Sequence, residues 1–164
     1  MFRSLPPLAI LLGVAGLLPF LALGLGSVGP DPVRSLAAAE GLVGYGAVIM
    51  AFLGGVHWGF ALGEHDTLSG GVPARMVRAR LGLGVIPSLV GWSAILCGVV
   101  GHPALSLIIL VAGFIGLLVM EFRAEKRDLL PGDYLALRTV LTAITVAVLT
   151  AVLVVRMIGG HVLL

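Results

Sequence analysis

Few titratable side chains in this 164-residue chain lie within its apolar stretches, and the one that stands out is His57, in the run FLGGVHWG at residues 52–59. An imidazole at membrane depth is costly unless it faces protein or water, so it needs a polar partner. Threading the flanking segments puts Trp58, Ser88, Glu121, Asp133, Tyr134 and Arg138 in the same layer. Glu121 set beside His57 would favour a charged imidazole, and Arg138 could pair with Glu121 or with Asp133. Two chemistries fit such a set: a polar network that fastens helix ends, or a proton-linked or ligand-binding pocket. His57 precedes Gly63 by six residues, which puts it about 9 Å inside the end of its helix.

The elements that must hold these residues follow from composition. Hydrophobic residues make up 59% and charged residues 11%, with a mean hydropathy of +1.16, whereas soluble domains carry about 25% charged residues. An all-α polytopic membrane protein is expected, and a spanning helix needs roughly 20 apolar residues. Apolar runs and the breaks between them predict five transmembrane helices at about residues 5–25, 36–63, 81–100, 104–120 and 135–158, forming one compact bundle, a single membrane domain over residues 1–164. The breaks are the Gly29, Pro30, Asp31, Pro32 turn, the Glu64, His65, Asp66 end, the Gly101, His102, Pro103 turn, and the charged stretch 121–133. Pro6, Pro7 and Pro19 should kink the first helix without abolishing it, since neighbours can satisfy the freed carbonyls. Arg3 ahead of an apolar run, with Ala22-Leu23-Gly24 or Gly24-Leu25-Gly26 behind it, also suits a signal peptide. A run of about 20 residues exceeds the usual h-region, which favours a retained span.

Basic residues predict the threading. Arg3, Arg75, Arg78, Arg80, Arg123, Lys126, Arg127 and Arg138 fall on the side shared by the N-terminus and two loops, and only Arg34 and Arg156 fall opposite. That asymmetry predicts a cytoplasmic N-terminus and a C-terminus on the other side. It also accounts for the basic character without nucleic acid, because basic loops beside a bilayer meet anionic headgroups. Glu40 with Arg34 or Arg156 is expected to form a helix-end salt bridge on the opposite side.

The second predicted helix carries Ala47, Ala51, Gly55, Gly59 and Gly63 at four-residue intervals, a small-residue ladder that suits close helix packing. It is expected to seat another helix of the same chain, with homodimerisation as the alternative. Other chemistries find less support. His65 between Glu64 and Asp66 is the best metal-like cluster and reads more simply as a solvated loop, so no metal site is expected. Haem ligation by His57 lacks a second histidine at comparable depth. No nucleophile-elbow, phosphate-loop or dinucleotide pattern occurs, because the glycines sit inside spanning helices. Five unequal spans do not divide into the repeated halves of a secondary transporter, although dimerisation would restore symmetry. Cys97, the sole cysteine, reads as a small apolar filler.

The run YGAVIMAFLGGVHWG at residues 45–59, Pro87 with Trp92, and LPGDYLALRTVLT at residues 130–142 resemble the transmembrane protein 69-like family, small multi-pass proteins carrying a domain of unknown function. Gly132 and Asp133 depart from that pattern, which has an aromatic before Tyr134. The resemblance implies a bacterial or mitochondrial inner membrane and supplies no catalytic roles or cofactor. The expectation is a non-enzymatic accessory, assembly or stabilising protein that packs against a membrane complex. The alternative is a binding or transport site for a quinone, lipid or proton-coupled solute around His57, Trp58 and Glu121, which an open pocket between the second, third and fourth spans would favour.

Overall fold

The computed structural model describes residues 6–66, 74–125 and 132–159, and all secondary structure among them is helical. The elements are α1 (Pro7–Ala15), α2 (Leu17–Gly26), α3 (Pro32–Asp66), α4 (Ala74–Val99), α5 (Pro103–Glu125) and α6 (Gly132–Ile158). α2 packs on α3 and α6, α4 on α3 and α5, and α5 closes the ring against α6.

Among the described residues four stretches, not five, are long and apolar enough to cross a membrane: Pro7–Gly26, Pro32–Gly59, Pro103–Glu125 and Tyr134–Ile158. The predicted span at 81–100 lies on α4, whose apolar part, Gly84–Val99, is shorter. At 1.5 Å per residue it reaches only about 24 Å, less than the ~30 Å hydrocarbon layer. Arg75, Arg78 and Arg80 occupy the opening turns of α4 and keep those turns out of its apolar part. Large apolar side chains such as Leu11, Phe52, Val99 and Ile158 cover the outer surface. In water such a surface would aggregate; in lipid it is simply solvated.

The predicted first span is two helices. Pro19 has no N–H to offer the Ala15 carbonyl, and the break falls at Gly16. Tyr45 on α3 donates its hydroxyl to the Gly16 carbonyl at 2.9 Å, so a neighbouring helix satisfies backbone polarity at the break. Asp31 starts α3 by accepting from the amides of Val33 and Arg34 at 3.0 and 3.2 Å, with Pro32 at the first helical position. α4 stops at Gly101, whose φ of +86° suits only glycine at low cost, while the His102 amide reaches back to the Cys97 carbonyl at 2.8 Å. Pro103 then opens α5.

Burial on α5 follows Leu107, Leu110, Phe114, Leu117 and Glu121, and on α6 Leu135, Arg138, Thr142, Thr145, Leu149, Val152 and Arg156. Spacing that alternates three and four residues is the seam of left-handed helix packing. Phe20 joins the seams at the centre, edge-on to Tyr45 at 4.9 Å and to Phe114 at 6.1 Å between centroids. The two seams carry polar residues at registered places, and these build the site.

Candidate functional site

Glu121 is the residue that continues the apolar seam of α5 by one further step, so its carboxylate is delivered into the bundle and is 0% exposed. Arg138, one step along the seam of α6, meets it: Nε lies 3.3 and 3.2 Å from the two carboxylate oxygens. Arg138 also donates from a terminal nitrogen to Thr142 Oγ1 at 3.1 Å, one turn along the same seam. His57 arrives from α3, buried, with Nε2 3.8 Å from Glu121 Oε1. That distance is beyond a hydrogen bond and within reach of an ion pair once the imidazole is protonated. Tyr134 interacts with both Glu121 and Arg138. A buried carboxylate thus lies between a permanent cation and a titratable one. In a low-dielectric interior this arrangement either fixes helices or holds a proton or a polar headgroup.

Arg138, Tyr134, Thr142 and Thr145 also line a cavity of about 410 Å³ whose remaining wall comes from α1, α2, α3 and α5, including Leu12, Phe20, Leu53 and Phe114. The lining is apolar along most of its length and polar at the Arg138 end. Its volume falls within the range of small-molecule sites. The cavity lies on the α1, α2 and α6 side of the layer. That differs from the pocket expected between the second, third and fourth predicted spans.

Of the residues expected in one layer, the structure brings together His57, Glu121, Tyr134 and Arg138. Trp58 is elsewhere: it is 44% exposed and donates its indole N–H to the Leu81 carbonyl at 2.9 Å, on the outer α3–α4 seam. Successive helical residues are about 100° apart, which turns Trp58 away from the face of His57. Ser88 is half-buried on α4, and among the described residues no hydrogen bond joins it to the Glu121–Arg138 pair. Asp133 lies in the first turn of α6, but its side chain is outside the described residues, as are those of Gly63, Glu64, His65 and Asp66. Thr142 and Thr145 were not singled out by sequence reasoning as site residues. Their three- and four-residue spacing from Arg138 was the available signal.

The small-residue ladder also separates. Ala47 is buried, and a Cβ placed on Gly91 would lie 2.9 Å from its Cα. Ala51 is exposed, and a Cβ on Gly55 or Gly59 would meet nothing within 4 Å. The seat of α4 is instead Gly54 against Gly84, where an added Cβ on Gly54 would collide with the Gly84 carbonyl and one on Gly84 with the Trp58 ring. A four-residue step drifts about 40° around a helix, so a ladder of several rungs winds from a buried face to an exposed one.

At the far end of α6, Arg156 is buried and donates to the Ser27 carbonyl at 2.9 Å and to Ser35 O and Oγ at 3.5 Å. It ties the end of α6 to the α2–α3 turn. Arg34 is not part of this cluster; it is exposed and lies 3.4 Å from Asp31.

Comparison with known proteins gives a consistent frame. The family model described as "Protein of unknown function (DUF3429)" matches residues 5–154. Transmembrane protein 69 of Xenopus tropicalis is 31% identical over 164 residues, covering 97% of this chain and 58% of the frog protein. Transmembrane protein 69 of Mus musculus is 36% identical over 91 residues, covering 56% of this chain and 34% of the mouse protein. The matched regions therefore take up about half or less of these longer relatives. No solved structure matches the chain.

Proposed function

This chain belongs to the DUF3429, transmembrane protein 69-like family, and we propose that it is a membrane-embedded binding protein for an amphiphilic small molecule, with a site at the Arg138 end of the α1, α2, α3, α5 and α6 cavity. The observation that carries this reading is the cavity of about 410 Å³, apolar along its length and ending on Arg138, Tyr134 and Thr142. A molecule with an apolar body and one polar, hydrogen-bonding end, such as a quinone or a single-chain lipid, matches that distribution. Glu121 holds the Arg138 guanidinium through Nε, which fixes the direction in which its other donors face. No bond-making step is required of any residue. Native mass spectrometry of the protein purified in mild detergent tests the reading: wild type retains a small molecule, and Leu141→Trp, which fills the cavity, releases it while staying folded. Wild type without a retained molecule, or equal retention by the variant, contradicts it.

The threading belongs to the same proposal. His57 of α3 and Glu121 of α5 share one end of the bundle, while Ala39 of α3 and Ser106 of α5 share the other. α4 runs between those ends and returns the chain from one to the other, although its apolar stretch is shorter than that of its four neighbours. The eight-to-two bias of basic residues then supports a cytoplasmic N-terminus in an inner membrane. Packing against a partner complex, as an accessory or assembly factor, is a second reading. It is favoured by the open α3 face at Ala51, Gly55 and Gly59, where among the described residues nothing lies within 4 Å of a Cβ placed on either glycine.

A further inference from the structure

The charges beside the Arg138 cavity restrict the polar end that it can take. Arg138 and Glu121 are 6% and 0% exposed and lie 3.2 Å apart, so a positive and a negative charge cancel there. His57, 3.8 Å from Glu121, adds charge only when protonated. A ligand carboxylate or phosphate would leave a net negative charge in a low-dielectric interior, close to the Glu121 carboxylate. An ammonium would meet the guanidinium with the same sign. The polar end that suits an already neutral pair is itself uncharged.

Hydrogen-bonding capacity then gives its type. Glu121 engages Arg138 Nε, and Thr142 engages the terminal nitrogen Nη1. Tyr134 also lies against Arg138. The other terminal nitrogen, Nη2, is buried and has no partner within hydrogen-bond distance among the described residues. A buried donor left in that state is costly, and a guanidinium offers donors but no acceptor. The matching neutral group is therefore an acceptor without an O–H of its own, a carbonyl. Thr145, 4% exposed on the same cavity wall, makes no hydrogen bond among the described residues, so its hydroxyl is a second donor. It follows Thr142 by three residues, a rise of about 4.5 Å, comparable with the separation of two oxygens across a six-membered ring. Phe20 and Phe114, in the same lining, give a ring aromatic neighbours. Resting on the binding reading above, we infer that the ligand is a neutral quinone, one carbonyl oxygen on Arg138 and the other on Thr145, its tail along Leu12 and Leu53. Carboxylates are rejected.

Titration of the delipidated full chain, read by native mass spectrometry, tests the inference with probes of equal tail length: decyl-para-benzoquinone, decylbenzene, monodecanoylglycerol and decanoate. The quinone should bind about tenfold more tightly than decylbenzene or decanoate. Thr145→Val, which removes a hydroxyl at nearly constant volume, should weaken the quinone about fivefold, the scale of one hydrogen bond, and leave decylbenzene unchanged. Decylbenzene equal to the quinone overturns the inference, as does quinone binding unchanged in Thr145→Val. Monodecanoylglycerol equal to the quinone in wild type assigns the carbonyl to a lipid ester and overturns it as well. So does decanoate binding equal to that of the quinone; its loss in His57→Gln would then show that a protonated imidazole admits the anion. Each of these results leaves the cavity a binding site. Binding of none of the probes overturns the binding reading together with the inference.

Discussion

The two ends of α6 carry arginines of nearly equal burial, 6% exposed at Arg138 and 4% at Arg156, yet the protein holds them differently. Arg138 meets a fully buried carboxylate from α5 and a threonine of its own helix. Arg156 donates to the carbonyls of Ser27 and Ser35 at the α2–α3 turn, thereby fastening α6 to the start of α3. The first arrangement buries two opposite charges between long helices, where either charge alone would be expensive. The second uses the carbonyl oxygens of a turn and a helix start, which helix geometry leaves without intrahelical donors or able to accept again. One arginine organises a polar layer inside the bundle; the other closes an end of it.

Removing one partner of the interior pair should have the largest effect. Arg138→Ala leaves Glu121 buried without its cation and should lower stability by about 3–5 kcal/mol, read from thermal or denaturant unfolding in detergent. The double variant Glu121→Leu, Arg138→Met should recover most of that loss. No recovery would mean that the pair's geometry, and not the isolated charge, governs this end. Arg156→Ala should cost less, about 1.5–3 kcal/mol, the range for hydrogen bonds made by a charged group. If the two single variants lose equal stability, the distinction between the ends disappears.

Smaller changes sharpen the same contrast. Thr142→Val removes the hydroxyl that accepts from Arg138 and should cost about 0.5–1.5 kcal/mol, with no effect on the Arg156 end. Hydrogen exchange of the α2–α3 turn reads the second half of that statement. Gly55→Ala, on the open α3 face, should stay within about 0.5 kcal/mol of wild type. A change in its sedimentation or in co-purifying proteins would support the packing reading of that face, and a large loss of stability would show that the face is covered.

The helices were legible in the sequence because apolar length and Gly or Pro breaks are strong signals in lipid. The break at Gly16 was less legible, since its position depends on Tyr45 of another helix as well as on Pro19. α4 was over-read as a full span because its apolar part, Gly84–Val99, falls short of the hydrocarbon thickness. His57, Glu121 and Arg138 could be named together because rare ionisable groups at similar depth must find one another. Facing could not be read in the same way: Trp58 is adjacent in sequence to His57 and lies on another face. The ladder from Ala47 to Gly59 likewise winds out of the α4 contact that Gly54, Gly84 and Gly91 make.

The proposed ligand site at Arg138 is tested most directly by native mass spectrometry of wild type and Arg138→Lys purified from the same membranes. Lysine keeps the charge opposite Glu121 but loses the planar fork that faces both the carboxylate and the cavity. Wild type should retain a small amphiphile, and the folded variant should retain it about tenfold less, a difference of about 1.4 kcal/mol. Equal retention by both proteins, or none by either, would contradict the assignment of this cavity as a binding site and leave the Glu121–Arg138 layer as a fastening between helices.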